Sequence, residues 1–231
     1  MLKGVNLEVY RGETLVVMGR SGCGKSVLLK HINGLIHPDR GTLTFDGVDV
    51  TAMTERAVTD LRRRVGMLFQ AGALFDSLTV AENVAFPLIQ HGAEDAPIAD
   101  RVAELLGLVG LEGTEDQMPS ELSGGMRKRA ALARALALQP ELMLYDEPTT
   151  GLDPVTAAQI NVLIRDLQGR LGISGVLVTH DIASAKYVAD RIAFLYNGQI
   201  IGLGTVEQMF RSSDPIVHEF LSADPGRAGG P

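Results

Sequence analysis

The chain has 231 residues, 45% of them hydrophobic, with 28 acidic against 21 basic side chains and a formal charge of −7. That length is ample for one large domain with a sizeable core, so disorder is not expected outside the ends, and the acidic excess argues against a protein whose main task is neutralising nucleic-acid phosphates. The single cysteine, Cys23, excludes an internal disulfide and fits a reducing, cytosolic setting.

From residue 1, short β-rich runs alternate with longer helical patterns, which predicts a mostly parallel sheet covered by helices. The runs 5–10 and 14–18 are the first expected strands. The opening MLKGVNLEVY has one lysine and no long apolar core, so no secretory signal is read there. GRSGCGKS at 19–26 follows the run TLVVM and precedes the helical pattern SVLLKHI, the strand-to-helix context that a phosphate-binding P-loop requires. Gly19, Gly22 and Gly24 let the backbone turn so that several N–H groups converge on phosphate. A helix starting near Lys25 points its positive end at the same place, and Arg20, Ser21, Cys23 and Val27 complete the expected nucleotide-binding segment. Lys25 is expected to neutralise the β and γ phosphates, and the Ser26 hydroxyl is a hard oxygen ligand for Mg²⁺.

Strands are next expected at 42–45 and 65–69, with Arg62, Arg63 and Arg64 before the second as a solvated helix end. From 78 to 138 the β signal disappears, and segments such as PIADRVAELLGLVGL and GGMRKRAALARALAL predict helices inserted into the α/β core. Within them, ELSGGMRKRAALARAL at 121–136 starts a helix with Ser123 as its N-cap, and Gly124 and Gly125 leave backbone N–H groups open. Arg127, Lys128 and Arg129 then lie near that helix's positive end, an unfavourable placement that makes sense if an anion binds there.

LMLYDEP at 142–148 places two carboxylates at the exit of a buried strand, the edge at which open α/β sheets bind ligands. Consecutive strand residues point to opposite sides, so Asp146 is expected to hold Mg²⁺, directly or through water, and Glu147 to face the water that attacks the γ-phosphate. Further strands are expected at 176–179, 192–196 and 199–203, the last two joined by Asn197-Gly198 as a hairpin. The stretch 192–206 has no charged residue but is too short for a membrane helix. After Asp224, PGRAGGP is expected to be a flexible tail at 225–231, leaving 1–224 as the folded domain. Glycine numbers 26 against about 16 from average usage, and most of the surplus falls in these motifs and the tail.

Taken in order, these residues resemble the ATP-binding cassette (ABC) ATPases, whose signature reads LSGGQ where 122–126 here reads LSGGM. The resemblance implies an α/β P-loop NTPase fold of the ABC type with an inserted helical subdomain, about 78–138, and an antiparallel β portion. It implies that Ser123, Gly124, Gly125 and Met126 close over the γ-phosphate of the ATP held by the other protomer, Met126 replacing a polar side chain. It further implies that Gln70 touches Mg²⁺ and the attacking water, that Asp153 in TTGLDP communicates across the dimer, and that His180 contacts the γ-phosphate. His31, His37, His91 and His218 match no motif. Family members stack adenine on an aromatic residue upstream of the position of residue 1. Tyr10 lies on the wrong side of the first run to substitute, so weakened base stacking is expected.

A finer likeness, in FQAGALFDSLTVAENVAFPL at 69–88 and in the segment 119–148, is to ATPases of the Mla/Mce type, which energise phospholipid or other lipid movement between the membranes of Gram-negative bacteria. It implies ATP and Mg²⁺ as cofactors, a homodimer, a separate integral membrane permease near 70–88 and a Mce-domain lipid-binding protein as a further partner. The implied location is peripheral, at the cytoplasmic face of the bacterial inner membrane, with no direct nucleic-acid partner. A lipoprotein-releasing or other lipid-directed exporter stays open as an alternative. A soluble ABC protein acting on DNA or ribosomes is disfavoured because the chain has no coiled-coil or zinc insertion and no second cassette. A scaffold without turnover is disfavoured by the presence of Glu147, Gln70 and His180.

Overall fold

A computed structural model describes residues 1–92 and 95–222 of the chain, so the expected tail at 225–231 lies outside the described residues. Five apolar runs, β1 (Thr14–Met18), β4 (Val65–Leu68), β5 (Leu142–Asp146), β6 (Ser174–Thr179) and β7 (Arg191–Tyr196), form the parallel part of a six-stranded sheet in the order β4-β5-β6-β1-β7-β8. The edge strand β8 (Gln199–Thr205) is antiparallel to β7 across the Asn197-Gly198 turn, where both residues have positive φ, 48° and 85°. That pair of left-handed residues is what a two-residue hairpin requires.

Both faces of the sheet are covered, which explains why its central strands are apolar without alternation. Along β1, Val16 and Met18 join one core cluster with Leu68, Met143, Tyr145, Leu177 and Phe194, while Leu15 and Val17 join the other with Leu144, Val178 and Leu195. The second face is capped by Leu28 and Leu29 of α1 (Lys25–Ile32) and Leu61 of α2 (Glu55–Arg64). The first carries α3 (Val80–Gln90), α4 (Asp95–Leu108), α5 (Gly124–Leu136), α6 (Pro154–Leu171) and α7 (Ile182–Val188), followed after β8 by α8 (Val206–Phe210) and α9 (Pro215–Ser222). The helices expected within 78–138 are thus present, with Thr79 and Glu82 forming a capping box at α3 and Ser123 capping α5.

Two expectations need correction. The run 5–10 is not a strand. Val5, Leu7 and Val9 do alternate as half-buried residues against the second core, but the backbone bond that joins this end of the chain to the sheet, Lys3 N to Gly198 O at 2.7 Å, precedes the run. Alternating hydropathy reports burial, whereas a strand also needs a ladder partner. The expected strand 42–45 shrinks to β2 (Thr44–Phe45), paired with an unforeseen β3 (Val48–Asp49) across Asp46 and Gly47, whose φ values are 51° and 77°.

β4 sits under α5 because Gly66 has no side chain. A Cβ there would lie 2.7 Å from the Ala135 carbonyl oxygen and 3.0 Å from Pro140 Cγ. Gly66→Ala is therefore expected to destabilise the protein by about 1–3 kcal/mol through overpacking. The measurement is the urea midpoint at unchanged slope, and an unchanged midpoint would show that α5 yields without cost.

Candidate active site

The C-terminal ends of β1, β4, β5 and β6 lie along one edge of the sheet, and each is followed by one of the residues singled out from the sequence. After β1 the chain turns through Gly19, where a Cβ would stand 2.8 Å from Cys23 Sγ, and through Gly24, which takes a left-handed φ of 112° as the N-cap of α1. Arg20, Ser21 and Gly22 are exposed on this turn, Cys23 is half-buried, and Val27 lies in the first turn of α1. The Lys25 ammonium, 7% exposed, donates to Gly19 O at 2.9 Å and Arg20 O at 3.4 Å, and stands 3.5 Å from Glu147 Oε1. A charge-assisted bond to a phosphate oxygen is stronger than these bonds to neutral carbonyls, so the same ammonium can transfer to an incoming anion.

Ser26 Oγ donates to Asp146 Oδ1 at 2.9 Å across the gap between α1 and β5. Burial pushes the Asp146 carboxyl above the usual range, opposed by the Ser26 hydroxyl and assisted by the neighbouring Glu147 charge. A hydroxyl and a desolvated carboxylate in contact are a hard-oxygen donor pair, and Mg²⁺ selects such donors. The residues present fit that ion.

Glu147 directly follows β5 in a left-handed conformation, φ 47°, with its N–H donating to Val178 O at 3.0 Å. A non-glycine residue held there stores strain that the surrounding structure must hold, and such residues cluster at functional sites. Its carboxylate lies 3.0 Å from His180 Nδ1 and accepts from Thr150 Oγ1 and Thr179 Oγ1, each at 3.3 Å. Lys25, Glu147 and His180 are therefore one connected polar cluster, adjoined by the Ser26–Asp146 pair through the chain neighbours 25–26 and 146–147. The two threonines were missed in the sequence. Thr179 sits on the inward-facing run VLVT directly before His180, and that adjacency was the available signal.

Other residues stand apart from this cluster. Ser123 is exposed, and its Oγ accepts from Met126 N at 3.2 Å as the cap of α5. The half-buried Met126 side chain packs against the apolar core, so a polar group at that position is not part of this chain's chemistry. Gly125 is small because a Cβ would meet Thr156 Cγ2 at 2.5 Å, and Gly124 likewise faces Leu152 at 3.3 Å, which brings the start of α5 against the turn at 149–154. Asp153 spends its carboxylate capping α6, accepting from Val155 N and Thr156 N at 3.0 Å. Gln70 follows β4 with its side chain exposed. Tyr10 lies at the opposite edge of the sheet, stacked 4.8 Å under the guanidinium of Arg191, and so does not approach the 19–26 loop.

The basic residues of α5 also differ from expectation. Arg127 donates to Leu122 O at 2.6 Å, Arg129 to Val109 O at 3.2 Å, and Lys128 to the backbone oxygen of Gln70. These cations serve carbonyls of their own chain, which is a sufficient local reason for their presence without an anion. Arg62 and Arg64 are likewise bound, Arg62 Nη2 to Gly34 O at 2.9 Å and Arg64 Nε to Glu141 Oε1 at 2.6 Å.

The family model described as ABC transporter matches residues 2–150. The chain belongs to the ABC transporter family. Among its relatives, the "Probable ribonucleotide transport ATP-binding protein mkl" of Mycobacterium leprae is 42% identical over 98% of this chain and 65% of that protein. The chain thus spans slightly less than two thirds of that mycobacterial relative. The "Intermembrane phospholipid transport system ATP-binding protein MlaF" of Escherichia coli is 42% identical over 98% of this chain and 84% of its own length. Among solved structures, the ATP-binding cassette MJ0796, dimeric in a post-hydrolysis state bound to ADP and Pi, is 37% identical with a TM-score of 0.81, covering 89% of this chain and 90% of that one. The cbiO1 structure from Clostridium perfringens is 30% identical with a TM-score of 0.85, covering 97% and 89%. The α/β cassette fold expected of an ABC protein is therefore this chain's fold.

Proposed function

We propose that this chain is the ATP-hydrolysing subunit of a membrane transport system and works as a homodimer enclosing two ATP molecules. Each ATP would lie between one copy's 19–26 loop and the other copy's Ser123, Gly124, Gly125 and Met126. The observation that carries this reading is the Lys25–Glu147–His180 cluster at the strand ends, joined to the Ser26–Asp146 pair. Lys25 and the N–H groups of the loop bind the β and γ phosphates. Glu147 takes the proton of the attacking water, held in orientation by His180 and the threonine hydroxyls, and His180 reaches the γ-phosphate. Ser26, Asp146 and Gln70 would hold Mg²⁺, whose contribution when bound is to neutralise charge on the phosphate oxygens. The dimer reading is supported by the exposure of Ser123 and by the dimeric form of the related MJ0796 cassette. Asp153, at the turn abutting α5, would communicate across that dimer, and the helices within 78–138 would move as the subdomain that presents Ser123.

Phospholipid or another lipid is the proposed cargo, on the likeness to MlaF. The mycobacterial relatives, equally similar, are named for ribonucleotides, but this chain spans 84% of MlaF against 65% of the M. leprae protein, so the MlaF likeness extends over more of the relative. No described helix is long and apolar enough to cross a membrane. A separate integral permease, contacted near 70–88, and a Mce-domain lipid-binding protein are proposed partners, at the cytoplasmic face of the bacterial inner membrane.

Ser123→Arg tests the shared site. It is expected to leave ATP affinity of the single chain within about threefold while removing ATP-dependent dimerisation in sedimentation velocity and lowering phosphate release by about tenfold or more. ATP-dependent dimers formed by the variant as readily as by the wild type would refute the arrangement.

A further inference from the structure

We propose that Lys128 is a positioning residue that fastens the Gln70 loop to the helix beginning at Ser123, so that engagement of Ser123 by a second copy's nucleotide resets Gln70 in this copy's own site. The inference rests on the hydrolytic reading above and adds a residue and a route to it.

Lys128 lies on the buried stripe of α5 formed with Gly125, Leu132 and Leu136, and is itself 6% exposed. An apolar side chain is the ordinary occupant of such a place. An ammonium there must be desolvated, and burial holds it below the usual lysine range despite the attraction of Asp146 and Glu147. A buried cation is poor evidence of stabilisation, and local rules are broken most often where a site demands it. What the ammonium does is donate to the backbone oxygen of Gln70, two residues beyond the end of β4.

The fastening continues along the same helix. Arg134 Nη2 donates to Gly72 O at 3.0 Å, and the Arg134 guanidinium lies 5.5 Å over the Phe75 ring. From α3, the fully buried Asn83 accepts from Phe75 N at 2.8 Å and donates to Phe75 O and Leu78 O at 3.1 and 3.0 Å. The loop is thus held at Gln70 and Gly72 by two cations of α5. Lys128 is five residues beyond Ser123, about 7.5 Å along a continuous helix. A displacement of Ser123 is carried to the Gln70 carbonyl by hydrogen-bonded helix and one charge-assisted bond, while Asp146 and Glu147 attract the same ammonium.

The test is a double-mutant cycle on steady-state phosphate release at saturating Mg²⁺ and ATP, with wild type, Lys128→Met, Gln70→Ala and the double variant. Lys128→Met is expected to lower kcat about tenfold with KM for ATP within about threefold, and Lys128→Arg, which keeps charge and donors, to restore kcat to within about threefold of wild type. In the Gln70→Ala background, Lys128→Met should change kcat by less than about twofold, because Lys128 acts only through Gln70. The melting temperature of Lys128→Met should be equal to or above that of the wild type. A full tenfold loss added to Gln70→Ala, wild-type kcat in Lys128→Met, or a Gln70→Ala protein as active as wild type would each overturn the proposal. Should Lys128→Met not yield folded protein, Lys128→Gln enters the same cycle with the same deciding outcomes. A wild-type protein that releases no phosphate would overturn the hydrolytic reading, and this proposal with it.

Discussion

Glu147→Gln is expected to abolish steady turnover, lowering phosphate release by about 10²–10⁴, the usual worth of a general base, while ATP binding persists. Glutamine has nearly the shape of glutamate, so the contacts from Thr150, Thr179 and His180, at 3.3, 3.3 and 3.0 Å, need little rearrangement. What disappears is the anionic oxygen that can take a proton from water. The charge opposite Lys25 disappears too. With the 3.5 Å ion pair gone, the ammonium is free to serve phosphate alone, so affinity for ATP should hold or rise. A protein that binds and cannot hydrolyse accumulates in its nucleotide-closed state, and sedimentation with ATP should show a persistent dimer. Steady phosphate release by this variant would remove Glu147 from its assigned role.

Lys25→Met should act on the preceding step. The side chain is buried, and its partners are the Gly19 and Arg20 carbonyls and the Glu147 carboxylate. Methionine fills similar space without a charge, leaving Glu147, 8% exposed, without the ammonium 3.5 Å away. Truncating one partner of a buried charge pair costs about 2–5 kcal/mol, and the phosphate chain of ATP would meet an uncompensated carboxylate. The loss in ATP affinity is accordingly expected to be at least about 30-fold, measured by calorimetric titration. Adenosine, which carries no phosphate, is the control, and its weak binding should not change. An equal loss for adenosine would mean that the substitution had disordered the loop instead of removing a phosphate contact.

The parts of this site that were legible in the sequence are those where chemistry constrains residue type and chain position together. Gly24, Lys25 and Ser26 must follow a strand and open a helix, and Asp146, Glu147 and His180 must end or directly follow strands, so local text suffices to find them. What the text does not carry is the partner of each group. Residues 5–10 alternate as a strand does, but pairing depends on a backbone elsewhere. Arg62 and Arg64 read as solvated, and Arg127 and Arg129 as facing an anion, because local text cannot report a carbonyl or carboxylate brought near by folding. Lys128 was visible as a charge, and only its coincidence with the apolar stripe at 125, 132 and 136 marked it as buried. β3 escaped because two residues give no periodicity, although Asp46-Gly47 announced the turn.

The strand order has a geometric consequence for the whole cycle. Read across the sheet, Gln70, then Asp146 and Glu147, then His180, then the 19–26 loop follow β4, β5, β6 and β1 in turn. Neighbouring strands are about 4.8 Å apart, so Gln70 is anchored roughly 14 Å from the 19–26 loop. The sheet acts as a ruler that cannot shorten. On the proposed reading, any approach of Gln70 to a γ-phosphate would have to come from the loop after β4 and the helices holding it, so that rim would be the register in which the presence of a complete nucleotide is recorded.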